Sequence, residues 1–147
     1  MLSEYAKDNR TEEQVKKDFD YGKANEKIVF EHLGCNKYWV NGSDEFGETE
    51  SYKPDCFILH RGLWYPAEIK FTEYEISGIQ LKHNQATILA RINGLYIQST
   101  PTRFCITRAV DIIKMPLIEY SYCNKPCYII RDPNWIKWNS KIDYVTK

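Results

Sequence analysis

The sequence has no hydrophobic run approaching the roughly 20 residues that cross a bilayer as a helix, so it offers no candidate membrane span. Its opening stretch, MLSEYAKDNRTEEQVKKDFD, has no apolar segment and is rich in acids, the opposite of a secretory signal peptide. An intracellular, cytoplasmic and reducing location is the expectation. Disulfide scaffolding is excluded as well, because Cys35, Cys56, Cys105, Cys123 and Cys127 are odd in number and irregularly spaced. Cys123 and Cys127 would need about two further ligands for a zinc site, and the nearest histidine in sequence is His83. There is no internal repeat, low-complexity tract, convincing linker or P-loop. Repeat architectures and P-loop ATPases drop out with them.

What remains is a chain of 147 residues, 43% hydrophobic and 27% charged. That is ordinary for one soluble domain large enough to bury a core without staples. Its 20 basic and 20 acidic residues cancel overall but are unevenly placed. Residues 1–75 hold 16 acids and 10 bases (−6), and residues 76–147 hold 4 acids and 10 bases (+6). From Ile76 to Val110 no acid occurs, while Lys82, Arg91, Arg103 and Arg108 do. This asymmetry points to a polyanion partner at one surface; two solvated surfaces of opposite sign would produce the same pattern.

Local patterns predict helix, strands, helix, strands. Thr11-Glu-Glu-Gln14 has capping-box spacing, and from Phe19 to Leu33 the apolar residues fall on one helical face, with Gly34 as a stop. Lys37–Val40 reads as a short strand and residues 41–51 as a loop whose acids Asp44, Glu45, Glu48 and Glu50 are solvated. Cys56–His60 and Leu63–Phe71 read as a hairpin around Arg61-Gly62, with Pro66 requiring a bulge or an edge. Leu81–Ile92 is an amphipathic helix closed by Asn93-Gly94. Strands follow at Leu95–Gln98 and Arg103–Thr107, then a short helix at Ala109–Lys114 and a strand at Cys127–Ile130. The order implies an α/β or α+β protein with a single sheet flanked by helices.

Three acids and a lysine occupy places where an apolar residue would be cheaper. Asp55 follows Pro54 at the mouth of the first hairpin strand, and Glu68-Ile69-Lys70 alternates along the second. With a period of two, Glu68 and Lys70 share a face and Ile69 enters the core. Hairpin pairing would bring Asp55 and Glu68 together, where two carboxylates repel unless protonated or bridged by a cation. Mg²⁺, with oxygen ligands, is the natural bridge, and Mn²⁺ can substitute. Glu26 falls within the core-facing stripe Phe19–Gly22–Glu26–Val29/Phe30–Leu33, whereas Glu31 falls outside it. Such a buried carboxylate is either paired or a ligand. Gln85 shares a stripe with Leu81, Ile88 and Ile92, so it is either a satisfied core amide or a site residue. His32 and His83 read as packing or surface residues.

Pro54-Asp55 followed by Glu68-Ile69-Lys70, with Glu26 on an upstream helix, resembles the PD-(D/E)xK nuclease superfamily. The similarity spans roughly residues 19–107 and includes Lys82-His83-Asn84-Gln85 on the following helix. It implies a restriction-endonuclease-like core, a mixed β-sheet flanked by helices. Asp55, Glu68 and the Ile69 backbone carbonyl would bind the metal, and Glu26 would orient a water on it or hold a second ion. Lys70 would position the attacking water and offset phosphate charge, with Gln85 near the scissile phosphate. GKANEKIVFEHL (22–33) and LKHNQATILARINGLYI (81–97) resemble the small Holliday junction resolvases of archaea and phages, which fits a phage or viral source. The resemblance thus implies a Mg²⁺-dependent endonuclease acting on branched DNA as a homodimer, with no membrane partner. Lys53, Lys82, Arg91 and Arg103 are the expected phosphate contacts.

Flap, mismatch and restriction-type nucleases of the same fold remain open. So does a non-catalytic nucleic-acid-binding module, in which Tyr120, Tyr122, Tyr128, Trp135 and Trp138 would stack on single-stranded bases among Lys125, Arg131, Lys137 and Lys141. The domain is expected to span 1–147, with 1–17 a partly ordered extension and 116–147 a basic, aromatic one.

Overall fold

Thr11 and Gln14 cap each other at the start of the first helix, as their spacing predicts. The Gln14 backbone N–H donates to Thr11 Oγ1 at 3.1 Å, and the Thr11 N–H donates to Gln14 Oε1 at 3.0 Å. Helix α1 (Glu12–His32) follows, with Glu12 and Glu13 in its first turn favourably placed against the helix dipole. The structure, a computed structural model, describes residues 10–33, 56–120 and 125–146. Gly34, Cys35, the predicted strand Lys37–Val40, the 41–51 loop, Lys53, Asp55, Tyr122 and Cys123 lie outside the described residues.

The buried residues of α1 are Asn25, Val29 and Phe30. Phe19, expected on the core face, is instead 60% exposed. Of the predicted stripe Val29 and Phe30 are buried, and α1 outruns the layer it packs on: no side chain from Glu12 to Asp20 is buried. The helix is continuous from Glu12, so residues 12–17 form its first turns.

Two sheets form where one was expected. Strands β1 (Cys56–His60), β2 (Leu63–Phe71), β4 (Leu95–Ser99), β5 (Arg103–Arg108) and β8 (Ile136–Lys137) form a mixed sheet in the order β1-β2-β4-β5-β8. Strands β3 (Ile79–Lys82), β6 (Leu117–Tyr120) and β7 (Lys125–Ile130) form a second, in the order β3-β7-β6. The second sheet corrects the reading of Leu81 and Lys82 as helical. In β3, Ile79 and Leu81 are buried while Gln80 and Lys82 are exposed, and pairing with β7 settles a pattern that a helix start also fits. Helix α2 therefore begins at His83 and ends at Arg91, and its buried residues are Ala86 and Leu89.

The β1–β2 hairpin turns on Arg61 (φ 53°) and Gly62 (φ 83°), the two left-handed residues that a tight turn needs to match strand twist. Pro66 lies opposite Phe57 of β1, and β2 meets β4 only from Ala67 onward. Its missing N–H thus falls where β2 has one neighbour, as the edge expectation required. Strands β2 and β4 run parallel, joined by β3 and α2. Strand β4, buried at all five positions, sends Leu95 and Ile97 to one face and Tyr96 to the other.

On the first face, Leu95, Ile97, Ala67 and Ile69 meet Val29 and Phe30 of α1 together with Trp138 and Ile142. On the second, Tyr96 and Cys105 meet Ala86 and Leu89 of α2, Ala109 and Ile112 of helix α3 (Ala109–Ile112), and Ile79, Leu81, Tyr128 and Ile130 of the second sheet. Strands β6, β7 and β8, with Trp138 and Ile142, are therefore built into both sheets and both cores. Trp138 stacks on Phe104 at 4.1 Å, takes the His32 ring edge-on, and donates from Nε1 to the Thr100 carbonyl at 3.0 Å. Trp138 and Tyr128 are 7% and 6% exposed, which takes both out of the set available for base stacking. Cys56, Cys105 and Cys127 are buried thiols.

Asn25 ties the two ends of the described chain together. It is fully buried; its Oδ1 accepts from the Val145 N–H at 2.7 Å and its Nδ2 donates to the Val145 carbonyl at 3.2 Å. Replacing Asn25 with alanine leaves both backbone groups of Val145 without these partners. Asn25→Ala should cost about 1–3 kcal/mol in urea denaturation, and Asn25→Asp near neutral pH at least as much, since its buried carboxylate loses hydration and faces the Val145 carbonyl that the amide donated to.

Candidate functional site

Alternation along β2 sends Ala67 and Ile69 into the α1 face and leaves Glu68 and Lys70, both half-buried, on the α2 face. The parallel register then sets Glu68 beside Tyr96 and Lys70 beside Gln98 of β4. Lys70 Nζ donates to Gln85 Oε1 at 3.1 Å. The crossover makes this contact: β2 must reach β4 through α2, which lays the first turn of α2 over Lys70. Gln85 is half-buried; of its expected companions Leu81 is buried from β3 and Ile92 packs on the same core, while the buried residues of α2 itself are Ala86 and Leu89.

A buried polar layer lies beneath. Tyr96 (1% exposed) donates from its hydroxyl to Gln98 Oε1 at 2.9 Å, and Gln98 Nε2 donates to the Ser99 carbonyl at 3.3 Å. Burial pushes the Tyr96 phenol far above its ordinary range, and the negative charge of Glu68, with Cys105, adds to the push. Neither Tyr96 nor Gln98 is among the sequence-predicted site residues. The one available signal was a glutamine and a tyrosine within a strand otherwise apolar up to Ser99.

Lys82 occupies the N-cap position of α2 without a side-chain cap hydrogen bond, and the first turn of the helix has no acid; the N-terminal amides of a helix favour an anion. Arg91 sits at the other end of α2, roughly 13 Å away at 1.5 Å per residue. Arg103 is engaged elsewhere. Its Nη2 donates to the Ile76 carbonyl at 2.7 Å, its guanidinium lies 4.5 Å above the Trp135 ring, and its Nε is 3.4 Å from Glu75 Oε1 without aligning a hydrogen bond. Glu75 in turn accepts from the Thr100 hydroxyl at 2.7 Å and the Thr102 N–H at 3.1 Å. Burial raises the Glu75 carboxyl, but these bonds and the Arg103 charge outweigh it and hold it below its ordinary value. The clasp pins the chain leaving β2 to the β4–β5 turn.

Glu26 is half-buried on α1 and comes from the layer opposite the one Glu68 and Lys70 face. Asp55 and Lys53 lie outside the described residues; the hairpin register ends with Cys56 opposite Ala67, next to Glu68. Among the described residues no group of three or more His, Cys, Asp or Glu side chains converges. The structure thus brings Lys70 and Gln85 together beside Glu68 and leaves Arg91 and Arg103 apart from them. No helix among the described residues is long and apolar enough to cross a membrane. No protein-family model matches the chain, and no curated protein and no solved structure matches it.

Two pH effects follow. A tyrosine whose pKa is raised by folding stabilises the fold fully below the unfolded value of about 10, and the contribution is lost as pH rises beyond it. Glu68→Gln should therefore flatten the loss of stability above pH about 10, read by urea denaturation across that range. Glu75 has the opposite sign: its contribution is present above the ordinary carboxylate range and lost as pH falls through it. Glu75→Gln should lower the melting temperature at neutral pH and leave a shallower decline toward pH about 3.

Proposed function

We propose that this chain is a metal-dependent DNA endonuclease with a restriction-endonuclease-like core, hydrolysing phosphodiester bonds in branched DNA. The observation that carries the reading is the Lys70–Gln85 hydrogen bond at 3.1 Å on the same face of β2 as Glu68. An ordinary surface salt-bridge cluster has no need of an amide from a crossover helix to hold its lysine. The order of helix, hairpin, crossover helix and parallel strand also supports it.

The donor chemistry fits a hard divalent cation, with carboxylates and a backbone carbonyl and no thiolate or imidazole. Asp55, Glu68 and the Ile69 carbonyl would hold Mg²⁺ or Mn²⁺, without Glu26, which comes from the opposite layer. Once bound, the cation supplies Lewis-acid polarisation of the phosphate and a lowered pKa for water. The chain's own residues do the rest. Lys70 places a positive charge where the phosphoryl oxygens gain negative charge, and Gln85 holds that ammonium in one orientation. Tyr96 and Gln98 form the floor that keeps the strand pair in register. Lys82 and the N-terminus of α2 attract the phosphate backbone, whose contacts dominate affinity for DNA.

The test is cleavage of a labelled four-way junction and the matching linear duplex, with Mg²⁺, Mn²⁺ or EDTA. Wild type should nick the junction only with metal, near the branch point. Glu68→Ala and Lys70→Ala should lose about 100-fold or more in rate, and Gln85→Ala about 10-fold, with circular dichroism unchanged. Equal cutting of both substrates keeps the nuclease and removes the preference for branches. Binding without cutting under every condition overturns the catalytic reading in favour of a binding module.

A further inference from the structure

Strand β2 and helix α1 meet at an aromatic corner that the cleavage site does not use. Phe71, two residues past Ile69, packs on the α1 face, away from Glu68 and Lys70. Tyr21 lies one turn before the buried Asn25, and its ring meets that of Phe71 at 5.6 Å with the planes 60° apart. Tyr144 backs Phe71 at 5.2 Å. It is fixed there by the bond between its hydroxyl and that of Ser99, and by the hold of Asn25 on Val145. Past Phe71, the Thr72 N–H donates to the Ser99 carbonyl at 2.9 Å and the Thr72 hydroxyl to the Tyr74 carbonyl at 2.7 Å. This turn leaves Glu73 and Tyr74 exposed, Tyr74 by 68%. Tyr21, Phe71, Thr72, Glu73, Tyr74 and Thr146 line a hollow of about 530 Å³, within the roughly 300–1,000 Å³ of small-molecule sites.

We propose that this hollow binds an organic cation, a quaternary or methylated ammonium group. Three aromatic side chains and one carboxylate line it, with no basic side chain. Ring faces are electron-rich and attract such a cation. Glu73 adds a full negative charge, and no ion pair to it exists among the described residues. The nearby charges are engaged or stand outside the lining. Asp18 pairs with Arg10, Asp20 with Lys16 and Glu75 with Arg103. Lys17 on α1 and Lys141 and Asp143 on the tail are exposed and line no part of the hollow. Lys147 follows Thr146 and lies outside the described residues.

A nucleic-acid base suits this corner less well. Sandwiching a flat ring takes about 7 Å between parallel planes, twice the carbon contact distance. Tyr21 and Phe71 stand closer than that and are tilted, and Glu73 repels a phosphate backbone. The hollow is on the opposite face of the sheet from Lys70 and Gln85, and its binding is measured without DNA or metal. Loss of the nuclease reading therefore leaves this one standing, and the reverse holds.

The test is an NMR titration of the full chain with choline, at constant ionic strength and across about 0.1–20 mM. Choline should shift the ring resonances of Tyr21, Phe71 and Tyr74 with a dissociation constant of about 1 mM. Its uncharged isostere, 3,3-dimethylbutan-1-ol, should bind at least about 10-fold more weakly. Glu73→Gln and Tyr74→Ala, both at exposed positions, should each weaken choline about 3- to 10-fold without changing thermal unfolding. A trimethyllysine peptide is titrated beside its unmodified counterpart. Binding more than about 10-fold tighter than choline identifies a methylated protein as the source of the ammonium, and parity identifies a free small molecule. Lys147→Gln removes the Lys147 ammonium as a competitor. Absence of choline binding to both wild type and this variant overturns the proposal, as does equal binding of the alcohol or indifference to Glu73→Gln.

Discussion

The parallel pairing of β2 with β4 is the constraint on which the rest of the structure depends. Parallel neighbours cannot be joined by a tight turn, so the chain must leave β2, cross a face of the sheet and return. The segment that does so supplies β3 and α2, and with them the nucleus of the second sheet and the layer over Tyr96. The same pairing fixes which residues are neighbours across the ladder: Glu68 with Tyr96, Ile69 with Ile97, Lys70 with Gln98. A slip of one residue would turn Glu68 and Lys70 into the apolar layer of Val29 and Phe30 and expose Ile69.

That register has a cost, met locally. Tyr96 and Gln98 put polar atoms into a strand that is otherwise the centre of both cores, and such atoms destabilise unless bonded. They bond to each other and to the Ser99 carbonyl, and Glu68 above them helps to keep the phenol neutral. At the far end of β2, Glu75 and Arg103 do comparable work for the emerging chain, joining it to Thr100, Thr102 and Trp135. The site residues on β2 are thus held from below by buried hydrogen bonds and from one end by a charged clasp.

The C-terminal segment changes meaning on this view. Its aromatic and basic composition fits a surface for nucleic acid and also rings packed on the sheet, and composition cannot say which ring faces inward. Trp138 closes the α1 face of the sheet, Tyr128 closes the opposite one, and Trp135 covers a guanidinium. Arg103 is removed from the free positive charges by that contact and by its bond to Ile76. At the start of α2, Gln85 meets Lys70 on the face that Glu68 shares, and Lys82 stands at the N-cap position.

By itself the sequence determined what depends on neighbours along the chain. The Thr11–Gln14 capping box, the Arg61-Gly62 hairpin, the edge position of Pro66 and the shared face of Glu68 and Lys70 are set by spacing and backbone preference. Each was legible because the energies are local and the periods, two for strands and 3.6 for helices, are written in the residues. Tertiary structure alone decided where those patterns end. Leu81 fits a helix and a strand equally until β7 pairs with β3; Phe19 sits on a core stripe until the helix runs past the sheet; Gln85 is a core amide until the crossover lays it over Lys70. These choices turn on contacts between residues far apart in sequence, such as Asn25 with Val145. Their energies come from burial and from closing buried hydrogen bonds, and no window along the chain contains both partners.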